Sequence, residues 1–222
     1  MFRSAVWACR GDFAKALALA EDATRIPRSG RDSQAEMSNK GILAVCLLKQ
    51  GDLVRAKQLA DETLQLILKT AVTGYGGLEG YGIAEVYAQL SKESRDRSVR
   101  FDSESKMRQL LKAFHQYGAV ISLGKAPAHL WEGRWAWLNG HPILALRHFQ
   151  QSLQIAQQIK LPYDEAMAHY WLGRLLKDGR LPHLPVVMGD LTQRARNHGE
   201  AAVRIFTSLE AGPHIRDAQR LL

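Results

Sequence analysis

The chain has 222 residues and a formal net charge of +8, from 30 lysines and arginines against 22 acids. Hydrophobic residues make up 46%, which excludes a chain disordered by composition, and no apolar run reaches the roughly 20 residues that a membrane span needs. Cys9 and Cys46, the two cysteines, both fall inside helical patterns and read as small buried hydrophobes of a reducing compartment, which points to the cytoplasm.

Residues 1–10 read as the end of a helix, without the apolar stretch of a secretory signal, so the chain opens inside a repeat and fits the C-terminal piece of a longer architecture. Residues 13–26 form the partner helix, with Ala16, Leu17, Leu19, Ala20 and Ala23 on its apolar stripe. Pro27 and Gly30 stop it. Residues 32–50 and 53–70 make the next pair around Gly51-Asp52. A glycine-rich stretch, 73–80, leads into a helix through Tyr81, Ala84, Tyr87 and Leu90, and the glycines of 74–82 let two helices meet at an angle.

Ser91 stands where the next turn residue is expected. The run 92–106, KESRDRSVRFDSESK, carries both signs of charge and reads as an inserted, solvated linker. Helix resumes over 103–121, where Ala113 and Tyr117 keep an alanine-x3-aromatic spacing. Residues 127–138 and 142–160 pair around Gly140, with Pro142 suited to a first helical turn. Pro162 and a helix at 164–177 follow, then a turn at 180 in a loop with Pro182 and Pro185. Residues 191–209 repeat the spacing in Ala202 and Phe206, and 215–222 form a terminal capping helix.

A register of about 40 residues links these pieces. Gly11, Gly51 and Gly140 each separate two amphipathic helices. Five residues on stand Ala16, Ala56 and Ala145, and four further Ala20, Ala60 and Phe149. Seven residues before the glycines stand Ser4, Ala44 and Gly133. Small residues recur where two helices cross closely. With no sustained two-residue alternation, the chain reads as all-α: about five helix pairs in a right-handed α-solenoid. The single helical-repeat domain 1–222 divides into units at roughly 1–30, 31–72, 73–124, 125–162 and 163–222.

The alanine, glycine and aromatic spacings resemble those of tetratricopeptide-like repeats. Three stretches are more specific: GYGGLEGYGIAEVYAQL at 74–90, LLKAF at 110–114, and KAPAHLWEGRWAWLNGHPILALRHFQQSLQIAQQIKLPYDEAMAHYWLGRLL at 125–176. Together they resemble the C-terminal helical-repeat tail of large bacterial signalling proteins. Those proteins join a class III adenylate/guanylate cyclase domain, or a kinase domain, to an AAA-type ATPase. The resemblance implies a regulatory scaffold and a protein-contact surface. It carries no nucleotide or metal site onto any residue here, because the family's chemistry lies in a domain with no counterpart in this sequence.

Catalytic motifs fail on inspection. The stretch 118–126, GAVISLGKA, has five residues between its glycines where a phosphate loop needs four, Ala126 in place of the hydroxyl, and a helix before it instead of a strand. His115, His129, His141, His148, His169, His183, His198 and His214 are scattered, with no HExxH and no paired CxxC. Asp164 and Glu165 read as helix-start acids. No catalytic residue, cofactor or metal site is therefore expected, and the chain is not expected to be an enzyme. Basic residues interleaved with acids give no phosphate-binding stripe, so neither nucleic acid nor membrane is an expected partner.

Trp131, Trp135, Trp137 and Trp171 form the one aromatic concentration. Trp131 and Trp135 share a helix face as core residues do. Counting from the turns, a concave face would show Arg134, Trp137, Tyr170, Arg174 and Lys177, a composition that favours protein contact. Trp137 packs there or beneath the next repeat. The expected function is a non-catalytic scaffold that contacts a protein partner or an upstream domain of the same polypeptide. The alternative is an effector-sensing module binding a small ligand in its groove.

Overall fold

The structure, a computed structural model, describes residues 2–25, 33–69, 78–179 and 188–222. Among them are eleven α-helices and no strand, so the chain is all-α. They are α1 (Phe2–Arg10), α2 (Phe13–Arg25), α3 (Ser33–Gln50), α4 (Leu53–Lys69), α5 (Leu78–Glu93), α6 (Arg97–Val120), α7 (Lys125–Leu138), α8 (Pro142–Gln158), α9 (Pro162–Asp178), α10 (Met188–Ser208) and α11 (Gly212–Gln219). A short 3-10 turn, Ser122–Gly124, follows α6. The helices group into two compact units, Met1–Gly124 and Lys125–Leu222. None of the described helices is long and apolar enough to cross a membrane.

In the first unit α1 packs on α2, α2 on α3, α3 on α4 and α5, and α5 on α6. Gly11 and Gly51 take the left-handed conformation, with φ of 84° and 87°. Around Gly51 the Asp52 amide donates to the Leu47 carbonyl at 3.0 Å and the Gly51 amide to Leu48 at 3.1 Å, the hydrogen-bond pair of a Schellman C-cap. Asp52 then caps the next helix, its carboxylate accepting from the Arg55 amide at 3.1 Å. Gly11-Asp12 repeats the arrangement. One glycine-aspartate pair thus ends one helix and starts the next.

The small residues of the register all lie inside. Ser4, Ala44, Ala16, Ala56, Ala20 and Ala60 are buried. Gly82 of α5 comes so close to α3 that a Cβ there would collide with the Gly41 carbonyl oxygen. Gly80 and Gly82 thus serve close approach, whereas 74–77 lie outside the described residues.

The third helix pair departs from the sequence reading. Ser91 is no turn: it is buried inside α5 and its hydroxyl donates to the Ala88 carbonyl at 2.8 Å. The 92–106 run is no inserted linker either, since α6 begins at Arg97, nearly two turns before the expected restart at Ser103. Asp96 caps it, accepting from the Ser98 amide at 2.7 Å. Charges of both signs mark a half-exposed helix face here. The packed small-x3-large pair is accordingly Ser103 and Met107, both fully buried, while Ala113 is only half-buried.

In the second unit α7 packs on α8, α8 on α9, α9 on α10, and α10 on α11. Gly140 is left-handed at φ 79°. Gly133 faces Phe149 and Ala145 so closely that a Cβ would stand 2.6 Å from the Phe149 ring and 3.2 Å from the Ala145 carbonyl oxygen. Lys160 and Glu210 make the same turn without glycine, at φ 56° and 55°. Leu161 and Ala211 there donate to Ala156 and Phe206 at 2.9 and 3.0 Å. The expected turn at 180 lies outside the described residues. Helix α11 is followed by Leu221, which packs over Gly173 and Gly199.

Candidate functional site

Helices α7 and α9 of the second unit bring the tryptophans and arginines together around Trp171. Its indole stacks on Phe149 at 6.4 Å between centroids, meets Trp137 edge-on at 5.9 Å, and meets Tyr170 at 5.0 Å. The Arg134 guanidinium carbon lies 4.1 Å from the Trp131 ring centroid and 4.2 Å from that of Trp171. Arg174 sits over Trp171, Trp137 and Tyr170 at 5.1, 5.6 and 5.8 Å.

Of the five residues expected on an open face, four gather here, but not as a uniform solvent-facing set. Arg134 is 8% exposed, so its assignment to a solvent-facing offset is corrected. One turn along from Trp131, it shares that residue's inward face, and the two indoles replace water around its cation. Trp137 and Tyr170 are half-buried, with Trp137 packed on α9. Arg174 and Lys177 are exposed. Lys177 also donates to the Arg220 carbonyl at 2.7 Å, tying α9 to the end of the chain. Burial holds the Tyr170 phenol above its ordinary range against the lowering pull of Arg174. The cluster therefore offers exposed cations beside half-buried aromatic edges, a surface suited to anchoring rather than to proton transfer.

Trp171, the hub, was missing from the sequence-derived face. Its signal was available: it lies next to Tyr170 and one turn from Arg174.

The histidines are less scattered than their spacing suggests. His148 Nδ1 lies 3.1 Å from His129 Nδ1 and 3.1 Å from a Glu132 carboxylate oxygen. His169 and His198 meet at 2.7 Å through their Nδ1 atoms. Burial lowers both of this second pair to about 4, helped by the Arg204 cation at His169 and by His169 and Arg194 at His198. Residues 129 and 148 stand on opposite arms of the Gly140 hairpin, a pairing visible only once the arms are folded back on each other.

The first unit holds an ionic lattice. Lys57 and Lys106 each contact both Asp61 and Asp102 at 2.7–2.8 Å, and the buried Tyr87 donates to Asp61 at 3.0 Å. Burial opposes the Lys57 charge, but hydrogen bonds to Asp102 and Asp61 outweigh it and hold its pKa above the usual lysine range. Burial likewise opposes the Asp102 charge, and the two lysines hold its carboxyl below its usual range. Every group has an opposite charge beside it, as in a structural network.

The 118–126 stretch forms the end of α6, the 3-10 turn and the start of α7. The Ile121 and Gly124 amides donate within that turn to Tyr117 and Ile121, at 2.8 and 2.9 Å, and so are not turned toward a phosphate. The buried Cys46 thiol is pushed up to about 12 by desolvation, which removes it as a nucleophile at neutral pH.

Compared with known proteins, the sequence matches no family model and no curated protein.

Proposed function

We propose that this chain is a non-catalytic scaffold, a tetratricopeptide-like right-handed solenoid in the cytoplasm. It holds a protein partner, or an upstream signalling ATPase or nucleotide-cyclase domain of the same polypeptide, against the α7/α9 aromatic face. The observation that carries this reading is the cluster of Trp137, Tyr170 and Arg174, with Lys177 beside it. Half-buried aromatic edges next to exposed cations are the composition of interface hot spots. The recurrent helix turns and the small residues buried at register positions support the repeat reading. Basic residues are interleaved with acids along the sequence, which supports a protein rather than a nucleic acid as the partner.

A pull-down comparing the intact chain with a Trp137→Ala, Arg174→Ala double variant tests the reading. Loss of two anchors should weaken capture by about 2 kcal/mol or more. Equal recovery of the same partners by both proteins, with matching circular dichroism, rules this face out as the contact surface.

A further inference from the structure

We propose that His129, Glu132 and His148 form a binding site for a divalent first-row transition ion of the zinc class. The three side chains each offer one donor atom, and the three atoms lie within 4.8 Å of one another. Two of the separations are 3.1 Å. Ligand atoms about 2.0–2.1 Å from a tetrahedral zinc stand about 3.3–3.4 Å apart. Two of the three separations are thus within a few tenths of an ångström of the spacing that an ion requires.

His148 Nδ1 stands 3.1 Å from both the His129 ring nitrogen and the Glu132 carboxylate, and a cation placed among them would take a lone pair from each, with both imidazoles neutral.

The scaffold holds the donors still. His129 and Glu132 are one turn apart on α7, and His148 faces them from α8. Next to Glu132, Gly133 presses against Ala145 and Phe149. Further along, the Ser152 hydroxyl donates to the Ala126 carbonyl at 2.9 Å. Sites on packed helices hold their geometry better than sites on loops. The His148 and Glu132 side chains keep 18% and 26% exposure, so an ion can enter from water, and three protein donors leave a fourth position for water or an outside ligand. Two imidazoles and one carboxylate suit zinc and its neighbours, whereas calcium and magnesium ask for oxygen shells.

The other histidine pair provides the contrast. His169 and His198 meet through Nδ1, but the nearest carboxylate, Glu165, lies 4.0 Å from the opposite nitrogen, Nε2, of His169. Its donors diverge around the ring, so the same elements do not make a site.

The test is calorimetric titration of the full-length, tag-free chain with zinc chloride, together with the visible spectrum of the cobalt(II)-loaded protein. The expected result is one ion per chain and cobalt bands of low-coordinate intensity. His148→Ala and His129→Ala should weaken binding by more than about 100-fold, since even outer-shell partners of a metal are worth 10–100-fold. Glu132→Gln, nearly isosteric, should cost at least about 10-fold and decides the matter if an alanine variant misfolds. His169→Gln should bind as the parent does. Absence of stoichiometric binding, unchanged affinity in Glu132→Gln, or loss on His169→Gln would each overturn the assignment.

Discussion

The two compact units solve the same local problems with different residues. In the first, Gly11 and Gly51 take the left-handed turn and the following aspartates cap the next helix. In the second, Gly140 and Gly179 are left-handed but no aspartate follows either, and Lys160 and Glu210 adopt the left-handed conformation without being glycines. The hydrogen-bond pattern at the turn is nonetheless the same. The turn therefore belongs to the backbone geometry of packed helix pairs, and glycine is only its least strained solution. The polar clusters differ in kind as well. The first unit ties α4 to α6 with paired ammonium and carboxylate groups. The second uses a guanidinium between two indoles and two imidazole pairs.

The largest effect should come from helix crossings. Gly82 faces a backbone carbonyl of α3, whereas Gly133 mainly faces the ring of Phe149. A ring can slide and a packed backbone cannot. Gly82→Ala should therefore destabilise by about 3 kcal/mol and Gly133→Ala by about half of that, after the modest gain in helix propensity. Urea midpoints measure both, and a reversed order would break this contrast between the crossings.

A smaller effect separates the units by pH. His169 and His198 titrate near 6.5 when unfolded and at about 4 when folded. Between those values the unfolded chain binds more protons, so the stability they confer is complete above pH 6.5 and lost as pH falls toward 4. Asp102 and Glu62 of the first unit are also lowered, both below the usual carboxylate range, so their window lies at more acid pH. Burial opposes the Asp102 shift and the two lysines outweigh it; at Glu62 the hydrogen bond from Lys40 leads. Their contribution holds above the unfolded carboxylate pKa of about 4 and is lost only below it. The melting temperature should thus fall between pH 7 and 4.5 by roughly 2–4 °C for each kcal/mol lost. A His169→Leu, His198→Leu variant should flatten that slope, and an equal slope in the variant would remove the histidines as its cause.

The smallest effect sharpens the turn comparison. Lys160→Gly and Glu210→Gly should each stabilise by about 0.5–1 kcal/mol, by relieving left-handed strain, while Gly51→Ala should cost about 1 kcal/mol. Unchanged midpoints in both glycine variants would mean that the neighbouring contacts already absorb the strain.

Helix positions were legible wherever glycine or proline punctuated the chain. Gly51-Asp52, Gly140 and Pro142 placed their helix ends closely. The reading failed between α5 and α6, where no glycine marks the turn: Ser91 is absorbed into the helix by a bond to its own backbone, and Asp96 is the true start signal. The aromatic cluster was legible in membership but not in exposure. Periodicity counted from a turn places Arg134 on a face; it does not reveal that an indole from α9 covers it.

The sequence by itself determined the all-helical class, most helix ends and the small residues at crossings, because these follow from propensity, capping and packing distance between chain neighbours. Only the tertiary structure decided which side chains far apart in sequence converge. It joined Arg134 to Trp171 and His129 to His148, and it linked Lys57 with Asp102. Those meetings depend on the angle and offset at which helices pack, which are set by the summed shape of many side chains and leave no local mark on the residues that meet.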